Sequence, residues 1–391
     1  VAVLELRAER LVAGGDALAR EPSGRIVFLE GALPGETVRA QVTAEWRDYA
    51  RAVVHDVVEP SPVRTAPPCP FLAAGCGGCS WQHIEPAAQA ELKRAIVVEA
   101  LARTGGLPDA DVRLGPALAP WAFRTTLRMA VAGNGLAFHA AHAHDLVAVD
   151  ACLVAHPRLG ELLATARFPG AHEVTLRCSA TTGERLVVVD PSSVERAADV
   201  PSDVAVGRRA AIHEDVAGAL LRVSAPSFFQ TRADGAGVLV DLVAAAAHDE
   251  RAAPPRTVVD AYAGVGLFAA TVATDAEVVC IEQSMSSCED ASHNLSGRAA
   301  TIVRGRVEHW RPRPAELVIA DPSRKGLGRR AVEVLAATGA NRVVLVSCDA
   351  VALARDARLL ASAGFAHRSS TVVDLFPHTP HVEVVSQFER E

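Results

Sequence analysis

A thiol and a carboxylate stand out in the last third of this 391-residue chain. Cys348 follows the apolar run Val343-Val344-Leu345-Val346 in the order Ser-Cys-Asp-Ala, and Glu383 closes the turn-rich segment Phe-Pro-His-Thr-Pro-His-Val-Glu. A cysteine can add to C6 of a pyrimidine, which makes the neighbouring C5 a carbon nucleophile able to take a methyl group. A base must then remove the C5 proton, and a carboxylate shielded from water has the raised pKa this step needs. Cys348 is the candidate nucleophile and Glu383 the candidate base.

The same region holds a cradle for a cofactor. Asp260-Ala-Tyr262-Ala-Gly264-Val-Gly266 follows an apolar run and opens a helical pattern; its glycines let backbone approach a ligand, and the helix N-terminus favours negative charge. S-adenosylmethionine, another nucleotide or a purely structural turn would each suit those glycines. Glu282 ends the next strand-like run about 20 residues on, where a carboxylate can accept both hydroxyls of a ribose. The two features together point to an adenosine-containing cofactor. Asp321, in Asp-Pro-Ser-Arg324, ends the strand-like run before that of Cys348; its carboxylate can accept from a ring N–H, and Arg324 suits a phosphate. Gln230, in Ser-Phe-Phe-Gln, offers an amide to base or cofactor, with Phe228 and Phe229 expected in the core.

A second constellation lies upstream. Cys69, Cys76 and Cys79 sit in Cys-Pro-Phe-Leu-Ala-Ala-Gly-Cys-Gly-Gly-Cys, and Cys152 is the best candidate for a fourth ligand. Four thiolates serve tetrahedral zinc or an iron-sulfur cluster; the isolated fourth cysteine leans toward the cluster. Eight cysteines without an export pattern read as ligands or free thiols rather than disulfides.

These groups need a frame. The length suggests two or three domains. Residues 1–60 show short strands (26–29, 37–42, 52–58) broken by glycine turns, as in a small β-barrel of the OB type. Residues 61–225 run from a proline-rich linker through the cysteine loop and a helical stretch at 86–104 into a mixed α/β region. Residues 226–391 alternate strands and helices, which predicts a doubly wound, largely parallel sheet with ligands at the strands' carboxyl ends. No run nears the roughly 18 apolar residues of a membrane span. The start lacks a signal-peptide layout, so the cytosol is the expected compartment. A net charge of −7 argues against bulk coating of nucleic acid, and basic residues other than Lys93 and Lys325 are arginines, suited to bidentate phosphate contact.

In combination these motifs resemble the RNA 5-methyluridine (uracil-C5) methyltransferases, in particular the rRNA branch with an N-terminal TRAM barrel and a four-cysteine iron-sulfur cluster. Gly31-Ala-Leu-Pro-Gly-Glu36 resembles the TRAM turn, Ser-Phe-Phe-Gln230 the lead into the catalytic domain, Asp260 to Gly266 the cofactor motif, Ser-Cys348-Asp the nucleophile motif and the segment ending at Glu383 the base motif. The resemblance implies S-adenosylmethionine as donor, and a [4Fe-4S] cluster on Cys69, Cys76, Cys79 and Cys152. It implies a uridine in structured RNA as substrate, ribosomal rather than transfer. Cys348 would be nucleophile and Glu383 base, with Asp321, Arg324 and Gln230 at uracil or cofactor. Three positions depart from the family pattern: Ser323 and Ala350 where it has proline, and Arg306 where it has an acidic residue. Residues 1–64 carry eight arginines against ten acidic residues, so an RNA contact must come from one face of the barrel or from the middle region. The alternatives are an RNA-binding iron-sulfur protein without catalysis and a small-molecule methyltransferase; the latter leaves barrel and cysteine loop unexplained.

Overall fold

The computed structural model describes residues 2–133, 135–141, 143–248 and 253–391. Five strands (Val3–Leu11, Ala17–Arg20, Ile26–Glu30, Thr37–Glu45 and Tyr49–Glu59) close into a barrel in the order first, second, third, fifth, fourth. Period-2 patterning drives it: Val38, Ala40 and Val42 point inward while Arg39, Gln41 and Thr43 face out. Register shifts between the two longest strands supply the extra curl that closure of so small a sheet requires. The turn at residues 31–36 is locked from within. Glu36, fully buried, accepts from the backbone N–H of Leu33 and Ser61 and from Arg64. Burial opposes its charge, yet Arg64 and those N–H groups hold its carboxyl below the usual range.

The middle region is built on a six-stranded sheet, with strands in the order Val204–Val206, Arg185–Asp190, Glu173–Cys178, Thr126–Ala132, Gly135–His139 and Leu146–Ala148. The helix Pro157–Thr165 seats Leu159, Leu162 and Leu163 against one face of it. A hairpin, Ala211–Val216 and Ala219–Ser224, leads toward the last domain.

The last domain carries an eight-stranded sheet. Its strand order is Ala300–Arg304, Glu277–Glu282, Thr257–Ala261, Leu317–Ala320, Arg342–Ser347, Glu383–Arg390, Phe365–Val373 and Val112–Leu114. The first five run parallel, and Glu383–Arg390 lies antiparallel between its two neighbours. Both faces are covered. Val343 and Leu345 belong to one core, shared with the barrel, and Val344 and Val346 to the other, beneath the helix Ala233–Ala247. That is why these strands read as unbroken apolar runs.

The division of the chain differs from the sequence expectation in one respect. The helix Pro86–Ala100 and the strand Val112–Leu114, expected in the middle region, pack into the eight-stranded sheet: Ile96, Val97 and Val112 share a core with Val343 and Phe365, and Val112–Leu114 forms the sheet's edge. Helical periodicity marks a helix but not the domain against which its apolar stripe is buried. Among the described residues no helix is long and apolar enough to cross a membrane.

Candidate active site

Parallel neighbours deliver their carboxyl ends to one edge of a sheet. Ala261 pairs with Ala320, and Ala320 with Leu345, so the segments that follow, bearing Tyr262, Asp321 and Cys348, emerge side by side. Glu383 arrives from the opposite direction. Its strand runs antiparallel to Arg342–Ser347 with Ser347 opposite Val384, which sets the first residue of one strand beside the thiol just past the end of the other. The sequence separates these two groups by a helix and a strand; the sheet register brings them together.

The site crowds acidic groups together, and burial holds them toward their protonated forms. The Glu383 side chain is buried, and burial, followed by the charge of Asp321, raises its pKa well above the ordinary value against the pull of Arg324. Burial pushes the half-buried Asp321 up to about 7. Asp260, 1% exposed, is also pushed up to about 7, by burial first and then by Asp321 and Glu282, although the N–H of Ala269 donates to its Oδ2 at 3.0 Å. Its Oδ1 has no hydrogen-bond partner among the described residues. Burial, then the charges of Glu383 and Asp321, drives the Cys348 thiol up to about 12. Such a site keeps its sulfur protonated until positive charge enters. Arg324, exposed at the rim, donates through Nη2 to His381 Nε2 at 3.2 Å; burial, then Arg324, pushes that imidazole down to about 4, leaving it neutral and able to accept.

The cradle has the backbone geometry its glycines suggest. Tyr262, Gly264 and Gly266 have φ of 63°, 54° and 87°, all left-handed, and Tyr262 holds this conformation despite its side chain. A Cβ on Gly264 would meet nothing within 4 Å, whereas one on Gly266 would press on Leu295 Cδ1 at 3.2 Å. Gly264 therefore opens space and Gly266 permits close packing of the helix behind. Glu282 closes the cradle's far wall, its carboxylate accepting from Gly264 N at 3.0 Å and Ser284 N at 2.6 Å. Gln230 is buried. Its segment is anchored by Asp290, which accepts from Ser227 Oγ at 2.6 Å and Ser224 N at 2.8 Å. Phe229 enters the core as expected, but Phe228 is 67% exposed, contrary to the sequence reading. Hydrophobicity alone places both rings inside; the chain direction past the hairpin turns one of them out.

Cys69, Cys76, Cys79 and Cys152 line one cavity of about 190 Å³ together with Gln82 and Arg124. The loop is held by its own backbone: Cys76 N–H donates to Phe71 O at 2.9 Å, and Cys69 N–H donates to Gln82 Oε1 at 3.2 Å. The four thiols are free. Among the described residues no group of three His, Cys, Asp or Glu side chains is arranged to hold a metal ion.

Residues 2–55 match the TRAM domain family. A 23S rRNA (uracil(1939)-C(5))-methyltransferase RlmD from Alkalilimnicola ehrlichii is 33% identical over 94% of this chain and 92% of its own length. An uncharacterized RNA methyltransferase from Streptomyces coelicolor is 34% identical over 96% and 90%. The chain belongs to the RNA uracil-C5 methyltransferase family. Its fold is that of the Pyrococcus abyssi tRNA (uracil-54, C5)-methyltransferase solved with S-adenosyl-L-homocysteine, with a TM-score of 0.74 over 98% of this chain and 100% of the other at 22% identity.

In this methyltransferase, sequence reasoning missed the groups that carry the segment ahead of Glu383. Trp81, Gln89, Lys93 and Trp121 all contact residues 374–380. One signal was available: Lys93 is one of two lysines in a chain otherwise supplied with arginine, and it falls on the apolar side of its helix.

Proposed function

We propose that this chain methylates C5 of a uridine in structured RNA, using S-adenosylmethionine and a transient bond between Cys348 and C6. The observation that carries the reading is the convergence of Cys348, Glu383 and Asp321 on adjoining strand ends inside a site whose charge favours a cationic partner. S-adenosylmethionine would supply the methyl electrophile and bring positive charge. The open backbone at Gly264 and the orphaned Oδ1 of Asp260 fit such a ligand, with Tyr262, Gly266 and Gln230 around it and Glu282 toward the ribose. Positive charge near Cys348 offsets the carboxylates and favours the thiolate. The Cys348 thiolate would add to C6, and the nucleophilic C5 so formed would take the methyl group as the donor's S–CH3 bond breaks, leaving the neutral thioether S-adenosylhomocysteine. Glu383, as carboxylate, would then remove the C5 proton; the electron pair of that C–H bond forms the C5–C6 double bond and expels Cys348 Sγ from C6. Asp321 accepts from the ring N–H, and Arg324 at the rim faces the RNA phosphates. Ribosomal RNA is the preferred substrate class, since the relative at 33% identity acts on 23S rRNA.

The four cysteines are assigned to a [4Fe-4S] cluster. Supporting this, all four line one cavity, and four thiolates are the ligand set such a cluster takes.

Glu383→Gln tests the central step. With S-adenosylmethionine and substrate RNA it should accumulate a protein–RNA adduct that survives denaturing electrophoresis. Normal turnover by that variant rejects the role of Glu383.

A further inference from the structure

Glu383 is delivered by residues 374–382, a segment outside regular secondary structure between the last two strands. Two side chains from one face of the helix Pro86–Ala100 hold it at its start and its middle. Lys93, with no exposure, donates through Nζ to Asp374 Oδ1 at 2.6 Å and to Phe376 O at 2.9 Å. One helical turn earlier Gln89, also without exposure, accepts from His378 N at 2.6 Å while its Nε2 donates to Ile84 O at 2.9 Å. His378 sits in the left-handed region, φ 65°, costly for a side-chain-bearing residue. Its ring stacks on Trp121 at 3.8 Å between centroids, and its carbonyl accepts from Trp81 N at 2.8 Å. A buried polar pair that only stabilised the fold would serve no better than apolar packing. Here each polar group makes one hydrogen bond to the backbone of the one segment that delivers the carboxylate.

We propose that Lys93 and Gln89 are positioning residues that set the reach of Glu383 toward the C5 proton, acting through residues 374–382 without touching substrate. The proposal rests on the assignment of Glu383 as base. Its consequence is selective: attack by Cys348 and methyl transfer precede proton removal, so loosening this clamp should slow only the later step.

The test is single-turnover kinetics with labelled S-adenosylmethionine and RNA, in three backgrounds. Lys93→Met combined with Asp374→Asn removes both charges of the pair together, so no charge is left unpaired. Gln89→Met cuts the second tie alone and carries the test should the double variant not fold. Glu383→Gln is the reference. The expected result is that adduct forms within about twofold of the wild-type rate in the Lys93 and Gln89 variants, while its release slows at least about tenfold, as loss of orientation at a reacting group implies. Release at the wild-type rate overturns the proposal. So does an equal fall in formation and release, which would mark a merely structural role. If Glu383→Gln traps adduct and the clamp variants do not, the base stands and the clamp fails; if Glu383→Gln traps none, the base assignment falls and this proposal with it.

Discussion

The catalytic sheet and the sheet of the middle region divide the work by how many of their faces are buried. In the catalytic sheet, alternate residues of each central strand enter two separate cores, so charged groups are confined to the strand ends, where carboxylates and a thiol crowd together with raised pKa values. In the middle sheet one face packs on the helix Pro157–Thr165, and the other borders an open cavity of about 810 Å³ whose charged lining is Arg128, Arg208, Glu173 and Asp190, with His139, His144 and His172 between them. Burial creates reactivity in one sheet; exposure leaves the other a solvated polar surface with arginines free to turn outward. If the division is right, substitutions in the two sheets should fail in different ways.

The sharpest break comes at the nucleophile. Cys348→Ala should lower methyl transfer at least about a thousandfold, by the loss of covalent catalysis. Binding of S-adenosylmethionine, read by calorimetry, should stay within a few-fold of wild type, because the thiol is not part of the cradle. Turnover by the variant would remove the covalent mechanism. Next in size is Cys152→Ser, which takes away the fourth thiol of the cysteine cavity. With the proposed cluster the purified wild-type protein should be brown, and the variant should lack that colour and its visible absorbance and melt lower, since ligand binding to a metal centre is folding free energy. Unchanged iron and sulfide content in that variant would reject Cys152 as a ligand.

Asp260 tests whether burial in the two-sided sheet is a cost borne for function. Its carboxyl is neutral in the fold up to about pH 7, against an ordinary value of 3.8, so folding takes up a proton between those values. Stability from this group is complete below pH 3.8 and lost as pH rises through about 7. Asp260→Asn keeps an acceptor for Ala269 N–H and removes the titration. The variant should melt like wild type near about pH 4 and gain stability steadily toward about pH 8, by at most on the order of 4 kcal/mol at 1.36 kcal/mol per pKa unit. It should also bind S-adenosylmethionine more weakly. A constant difference in melting point across that range would mean the carboxyl is not shifted.

Much of the catalytic sheet was legible because strands buried on both faces cannot alternate: Thr257–Ala261, Glu277–Glu282 and Arg342–Ser347 announce themselves as apolar runs ending in polar groups. The final pair, Phe365–Val373 and Glu383–Arg390, was not read as strands, because His367, Arg368, Ser369 and Ser370 interrupt the first, and the pattern depends on pairing with a distant partner. The candidate residues Cys348, Glu383 and Asp321 were legible by type. Their electrostatics were not, because raised pKa values arise from burial and from neighbours over thirty residues apart. The helix Pro86–Ala100 shows the same limit: its period was visible, while Gln89 and Lys93 gain meaning only from the segment across from them.

The smallest expected effect lies on the open face of the middle sheet. Arg128 pairs with Glu173 at 2.6 Å, but with its side chain 75% exposed the pair adds little to stability and its guanidinium can turn to a phosphate. Arg208 stands exposed on the same cavity. Replacing both by Ala should leave the melting point within about 1 °C, as surface changes do. The single-turnover rate on bound RNA should be untouched. RNA affinity should weaken several-fold near physiological salt, and the dependence of log K on log salt should flatten by roughly two, one for each phosphate contact removed. Salt titration of RNA binding by both proteins measures that slope. Parallel lines would place the RNA elsewhere, on a face of the barrel whose charge count already argues against it, and the proposed division between the sheets would reduce to the catalytic half alone.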